Sequence, residues 1–106
     1  MAEIDLNELM LGGEPMSAGL TDNAALSRFE MAVDDHIAFV TYRREAGRIA
    51  LLHAEVPAQL AGSGVGSRLV EQTLLAVRAE GLKVVPRCSF VAAYLDRHPE
   101  FSDLVQ

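Results

Sequence analysis

A change of hydrophobic period in mid-chain constrains this sequence more than any other feature. Residues 48–56 (RIALLHAEV) have the composition of a buried β-strand, and Pro57 ends it. From 65 to 80, Val65, Leu69, Val70, Thr73, Leu74 and Val77 recur at a spacing of about 3.6 residues, which predicts one amphipathic helix. Gly81 then stands where a helix commonly ends. Leu82-Lys83-Val84-Val85 reads as a short buried strand stopped by Pro86. A strand–helix–strand unit of this kind closes as a right-handed crossover, so its two strands lie parallel. Its first joint is Gln59-Leu60-Ala61-Gly62-Ser63-Gly64-Val65-Gly66-Ser67-Arg68, a glycine-rich loop running into the helix.

The flanking segments complete a domain around this unit. Leu26–Val33 and His36–Arg43 alternate like strands, with turns at Asp34-Asp35 and at Glu45-Ala46-Gly47, so three strands form an antiparallel meander. Ser89–Arg97 reads as a second helix with Ser89 as its N-cap. His98-Pro99 ends it, because a residue before proline avoids helical angles. The expected fold class is α/β (α+β): a mixed, mostly antiparallel sheet with a strand–helix–strand unit and a C-terminal helix, spanning residues 24–106. Residues 1–23 read as an acidic, flexible extension with a helical turn at 5–11. A chain of 106 residues suits one such domain, and with 6% aromatics and no Trp its core should be aliphatic.

Charge and composition exclude several classes. The net charge of −6 leaves no broad basic field for nucleic acid. Residues 1–35 carry eight acids against Arg28 alone, whereas 36–106 carry seven acids and eight bases. The acidic front weakly favours a cationic partner, and Arg68, Lys83, Arg87 and Arg97 are available to an anion. No apolar run reaches the roughly 20 residues of a membrane helix. The acidic N-terminus is unlike a secretory signal, and a single Cys suits a reducing, cytoplasmic setting. The three His, one Cys and scattered acids show no metal-ligand spacing, so no metal is expected.

The glycine loop carries the chemistry. Glycine lets backbone approach a ligand closely, and the first amides of a helix lack internal partners and sit at its positive end. Together they suit phosphate oxygens. A nucleotide P-loop needs a Lys after its last glycine, and Gly66-Ser67-Arg68 has none. A dinucleotide fingerprint needs a third glycine that neither Gly62 nor Gly64 finds in frame. A tight turn with no ligand is the plain alternative.

Gln59-x-x-Gly62-x-Gly64 resembles the Gln/Arg-x-x-Gly-x-Gly/Ala motif of the GNAT N-acetyltransferase superfamily. His53-Ala54-Glu55-Val56-Pro57, Lys83–Phe90 with its Pro-x-Cys segment and His98-Pro99-Glu100-Phe101 resemble the short single-domain branch, and the likeness covers roughly residues 26–105. The resemblance implies that the loop and following helix bind the pyrophosphate of acetyl-coenzyme A as co-substrate, through Gln59, Ala61, Gly62, Ser63, Gly64, Val65, Gly66, Ser67 and Arg68. It implies a splay between the strands at 48–56 and 82–85 that admits the pantetheine arm, with the Val56 amide polarising the carbonyl. The implied reaction moves acetyl to a primary amine on a small molecule, a lysine or an N-terminus, with neither nucleic acid nor membrane as partner. Direct transfer is preferred over a covalent route. A non-catalytic acyl-coenzyme A sensor and an interaction domain that keeps only the fold are the alternatives.

Transfer needs a base for the amine, donors for the carbonyl oxygen and an acid for the thiolate. Glu55 is the leading base, on the same strand face as His53. His53 could serve instead, although a histidine in an aliphatic strand is more often a core residue. Cys88, beyond the last strand and near a helix start, is a candidate for contact with the coenzyme sulfur, for leaving-group acid, or for nucleophile. Superfamily members carry a Tyr acid on this helix; with Ser89 aligned to the usual helix-starting Asn, that slot falls on Asp96. Tyr94 lies about 200° around the helix from it. His98 reads as a helix-end residue.

Overall fold

The computed structural model describes residues 19–106. The helical turn expected at 5–11 lies outside the described residues. Five strands form one sheet in chain order: β1 (Leu20–Asn23), β2 (Arg28–Val33), β3 (His36–Glu45), β4 (Arg48–Glu55) and β5 (Lys83–Pro86). The first four pair antiparallel and β5 lies parallel to β4, with Ile49 opposite Val84. Helix α1 (Val65–Ala79) makes the crossover, and α2 (Ser89–Arg97) follows β5. The mixed, mostly antiparallel α+β sheet expected from the sequence is therefore the observed architecture.

Alternation decides which side chains enter the core. Phe29 and Met31 of β2 lie opposite Val40 and Ala38 of β3, and all four are buried. Ile49, Leu51 and Val84 extend that apolar face across β4 and β5. All six residues of the helical stripe on α1 are buried against it. Gln72, placed off the stripe by spacing, is buried too, because α1 contacts α2 as well as the sheet and its covered face is wider than one stripe.

Two boundaries at the first edge of the sheet differ from the sequence reading. Residues 20–23, assigned to the extension, form the edge strand β1, with Leu20 opposite Met31. A four-residue strand is too short to show a period; side chains from elsewhere hold it. The Tyr42 hydroxyl donates to Asp22 (2.5 Å), and Arg44 donates to both Asp22 (2.9 Å) and Glu80 (2.8 Å) at the end of α1. Ala24–Leu26 form a 3₁₀ turn capped by the Asn23 side chain, so β2 begins at Arg28 and not at Leu26. At the other edge the C-terminus covers β5: Gln106 N–H donates to the Val84 carbonyl, and Phe101 and Leu104 are buried.

Candidate active site

Three glycines shape the joint between β4 and α1, for two different reasons. Gly62 and Gly64 have φ of +79° and +81°, a conformation that costs other residues roughly 1–2 kcal/mol. A side chain at either would meet open space, so the backbone angle is what requires glycine there. Gly66 is constrained by contact instead. A Cβ on it would lie 3.0 Å from Phe90 Cζ and 3.5 Å from Val56 Cγ2. Gly64 is the N-cap of α1 and supplies no side-chain acceptor. The Ser63 hydroxyl donates back to the Leu60 carbonyl, so it does not cap the helix. The first α-helical bond across this start runs from Arg68 N–H to the Gly64 carbonyl. The amides of Val65, Gly66 and Ser67 precede it at the positive end of a 15-residue helix.

These amides border a concavity of about 260 Å³ lined by Val56, Leu60, Ala61, Gly62, Gly64, Val65, Gly66, Ser67 and Phe90. Of the sequence-selected ligand residues, Val56, Ala61, Gly62, Gly64, Val65, Gly66 and Ser67 meet there. Gln59, on a 3₁₀ turn at Ala58–Leu60, and Arg68 are exposed beside it, and Ser63 is turned into the loop. Leu60 and Phe90 were missed. Leu60 had a signal, as the apolar residue inside the motif; Phe90 had none, because its partner Gly66 has no side chain from which a contact could be read.

The end of β4 supplies the second half of the site. Tyr42 pairs with Leu51 and Thr41 with His53, so Leu52 bulges without a partner. The bulge reverses the alternation. Ala54 lies opposite buried Val40, whereas His53 and Glu55 lie opposite Thr41 and Phe39 on the other face. Without it, His53 and Glu55 would continue the buried face of Ile49 and Leu51. The core placement favoured for His53 is thus overturned: its side chain is 62% exposed. His53 Nε2 lies 3.2 Å from Glu55 Oε1, so the shared face expected for the two is observed.

Beyond Leu51 β4 runs on to Glu55 while β5 ends at Pro86 and its chain leaves for α2, and this parting of the two strands is the fork. Pairing of β4 with β5 ends at Leu51 and Pro86, and the amides of Arg87 and Cys88 both donate to the Leu51 carbonyl at 3.0 Å. The β5-side edge of β4 past this point is not paired with β5. Cys88 sits at the fork, buried, and is itself the N-cap of α2 with extended angles. Ser89 is the first helical residue, not the cap: the chain leaves the sheet one position earlier than its side-chain type suggests. Cys88 does not line the concavity at the glycine loop.

Tyr94 is buried and stacks on His98, with ring centroids 3.9 Å apart. Burial pushes its hydroxyl pKa up, with the charges of Glu71 and Glu100 adding to the effect. His98 caps the C-terminal end of α2 and approaches Glu100 at 3.3 Å. Asp96, in the slot of the usual acid, is exposed on a separate groove with Pro86, Ala92, Leu95, Ser102 and Val105. Lys83, one candidate anion ligand, instead donates to the Asp103 carbonyl. Among the described residues no group of three or more His, Cys, Asp or Glu could hold a metal ion, and no helix is long and apolar enough to cross a membrane.

The arrangement is a set of unpartnered amides on one face of a forked sheet and an exposed carboxylate–imidazole pair on the other. A family model described as GCN5-related N-acetyl-transferase matches residues 28–104, well over half of the chain.

Proposed function

This chain belongs to the GCN5-related N-acetyltransferase family, and from that premise we propose that it transfers acetyl from acetyl-coenzyme A directly to a primary amine. One observation carries the reading: free amides at the start of α1 border a concavity beside the fork between β4 and β5. The residues present fit the co-substrate. Gly62 and Gly64 leave their surroundings clear of side chains, and no side chain caps α1 in competition with a phosphate.

Bound there, acetyl-coenzyme A supplies an activated thioester. The amides of Val65, Gly66 and Ser67 hold the pyrophosphate oxygens. The Val56 amide, at the end of β4, donates to the carbonyl oxygen as negative charge develops on it. Glu55 accepts the proton from the amine as the new nitrogen–carbon bond forms and the carbon–sulfur bond breaks. His53, within contact of Glu55, orients it. Cys88 at the fork stands near the departing sulfur. Its thiol is buried while the Glu55–His53 pair is exposed, which favours attack by an incoming amine over attack by the cysteine. The acidic front, with eight acids against Arg28 over residues 1–35, weakly favours a cationic acceptor.

Calorimetric titration with acetyl-coenzyme A, coenzyme A, NAD and ATP tests the ligand, and release of free thiol on a panel of primary amines tests the reaction. The first two ligands should bind and the others should not. Gly64→Val should abolish that binding while unfolding as cooperatively as the parent, because valine disfavours φ near +81°. Equal affinity in the folded variant would show the ligand assignment to be wrong. Binding without turnover on any amine would identify a sensor and not an enzyme.

A further inference from the structure

Both helices pack on one side of the sheet. The buried side chains of α1 and α2 share a single core with Phe29, Met31, Val40 and Leu51, so among the described residues the other face of β2, β3 and β4 carries no helix. Cross-strand pairing sets that bare face out in rows. Arg28, Thr41 and His53 form one row, Glu30, Phe39 and Glu55 the next, and Ala32 and Ile37 a third. Apolar side chains there are left partly in water: Ile37 is 46% exposed, Leu52 beside His53 is 36% exposed, and Phe39 is half-buried. The two carboxylates that flank Phe39 differ. Glu30 accepts from Arg28 and Asn23, and the same Arg28 guanidinium lies over the Phe39 ring, 4.3 Å from its centroid. From the β2 side, then, the ring already takes a cation. On the β4 side stands Glu55, whose partner among the described residues is His53 and no Lys or Arg.

Small-molecule sites are concave and bury most of their ligand. Neither the concavity at the glycine loop nor the groove beside α2 includes Phe39, His53 or Glu55. An amine that reaches so open a face must be held by what it is attached to. Building on the proposed acetyl transfer, we infer that the bare face of β2–β4 is a docking surface for polypeptide, with Phe39 as the residue that selects a lysine side chain on it. The apolar stem of the lysine lies along the Phe39 ring. Its ammonium group reaches Glu55, one strand away at a spacing of about 5 Å. Ile37 and Leu52 offer apolar contact to the residues that flank the lysine. A compact amine gains the carboxylate but none of that flanking contact. The chain presents little of this substrate itself: eight of its nine basic residues are arginines, and the single lysine, Lys83, donates to the Asp103 carbonyl.

Two acceptors separate the polypeptide from the amine: a capped seven-residue peptide with one central lysine flanked by leucines, and n-butylamine, which is the lysine stem without its backbone. Thiol release from acetyl-coenzyme A is followed with each, in the parent, Phe39→Ala and Phe39→Leu, with thermal melts to establish folding and calorimetry to measure coenzyme affinity. In the parent, kcat/KM for the peptide should exceed that for n-butylamine by about tenfold, equivalent to about 1.4 kcal/mol. Phe39→Ala should raise the KM of the peptide by a similar factor, with kcat and coenzyme affinity little changed, and Phe39→Leu should recover most of the loss. An unchanged peptide KM in Phe39→Ala overturns the inference. So does a parallel loss of coenzyme affinity, which would make Phe39 a support of the sheet. Should Phe39→Ala fail to fold, Ile37→Arg carries the test at an exposed position of the same face: a like charge beside Phe39 should raise the peptide KM several-fold, and an unchanged value overturns the inference. Turnover of n-butylamine as efficient as that of the peptide overturns the docking surface alone, whereas coenzyme binding with no thiol release on either amine overturns the transfer reading as well.

Discussion

Glu55 and His53 meet at 3.2 Å with both side chains about three-fifths exposed, at 60% and 62%. An ion pair so exposed contributes little to stability, so substitutions there report on chemistry and not on folding. Glu55→Gln keeps the shape of the side chain and removes the proton acceptor. Turnover of a primary amine should fall by roughly two to four orders of magnitude, with the melting temperature and the affinity for acetyl-coenzyme A little changed. Steady-state thiol release and calorimetry measure the two effects separately. An unchanged turnover would move the base to His53. The pairing itself was legible in the sequence, because residues two apart on a strand share a face. The exposure of the pair was not, because it depends on a bulge whose existence is set by the register of β3.

At the scale of elements, that bulge decides what β4 does. Leu52 has no partner across the sheet, and its loss would return the strand to strict alternation. Deleting Leu52 should therefore turn His53 and Glu55 toward the face occupied by Ile49 and Leu51, forcing a carboxylate and an imidazole in among aliphatic side chains. The deletion variant should lose its cooperative denaturation transition. Leu52→Ala, which keeps the extra residue and trims a side chain already 36% exposed, should cost no more than about 1 kcal/mol. Urea denaturation followed by circular dichroism distinguishes the two; a stable deletion variant would show that register does not govern the site. The apolar stripe of α1, by contrast, was readable, although the burial of Gln72 beside it was not. The stripe is local, and burial of one face needs only an apolar sheet to meet it.

For the whole molecule, ionisation defines the pH range of the fold. Glu30 is held below the ordinary carboxylate range by hydrogen bonds from Arg28 and Asn23, and Glu45 by those from Arg48 and Arg43. Glu100 is lowered by its own backbone amide and by His98. A lowered folded value lends stability that is present above the unfolded pKa and lost as pH falls through the folded one. The two tyrosines of the chain behave in the opposite sense. Burial, then the hydrogen bond to Asp22, raises Tyr42, and burial raises Tyr94. Their contribution is present below a free phenol's value of about 10 and lost as pH rises through the raised ones. Melting temperature should therefore plateau at neutral pH and decline on both sides. Since these are the only two tyrosines, their ionisation, followed by ultraviolet difference spectroscopy, should be delayed beyond that of a free phenol. Titration of either at the ordinary value in folded protein would contradict the burial assigned to it.

Local rules were enough for the order of most elements, the inward stripe of α1, the parallel return of β5, and a glycine loop at the start of a helix. Each follows from spacing along one segment: a period of two or about 3.6, a proline, or a glycine where a helix begins. Four features came only from tertiary structure. Asp22 is held by Tyr42 and Arg44, and so β1 exists as an edge strand. The register of β3 leaves Leu52 unpaired and turns Glu55 away from the core. The amides of Arg87 and Cys88 both close on the Leu51 carbonyl, and Cys88, not Ser89, leaves the sheet as the N-cap of α2. Phe90 rests on Gly66, where the absence of a side chain is the contact. Each depends on which distant residue lies opposite, and periodicity carries no record of that partner. Sequence alone identified the loop and the pair as candidates; packing set them on opposite faces of one forked strand.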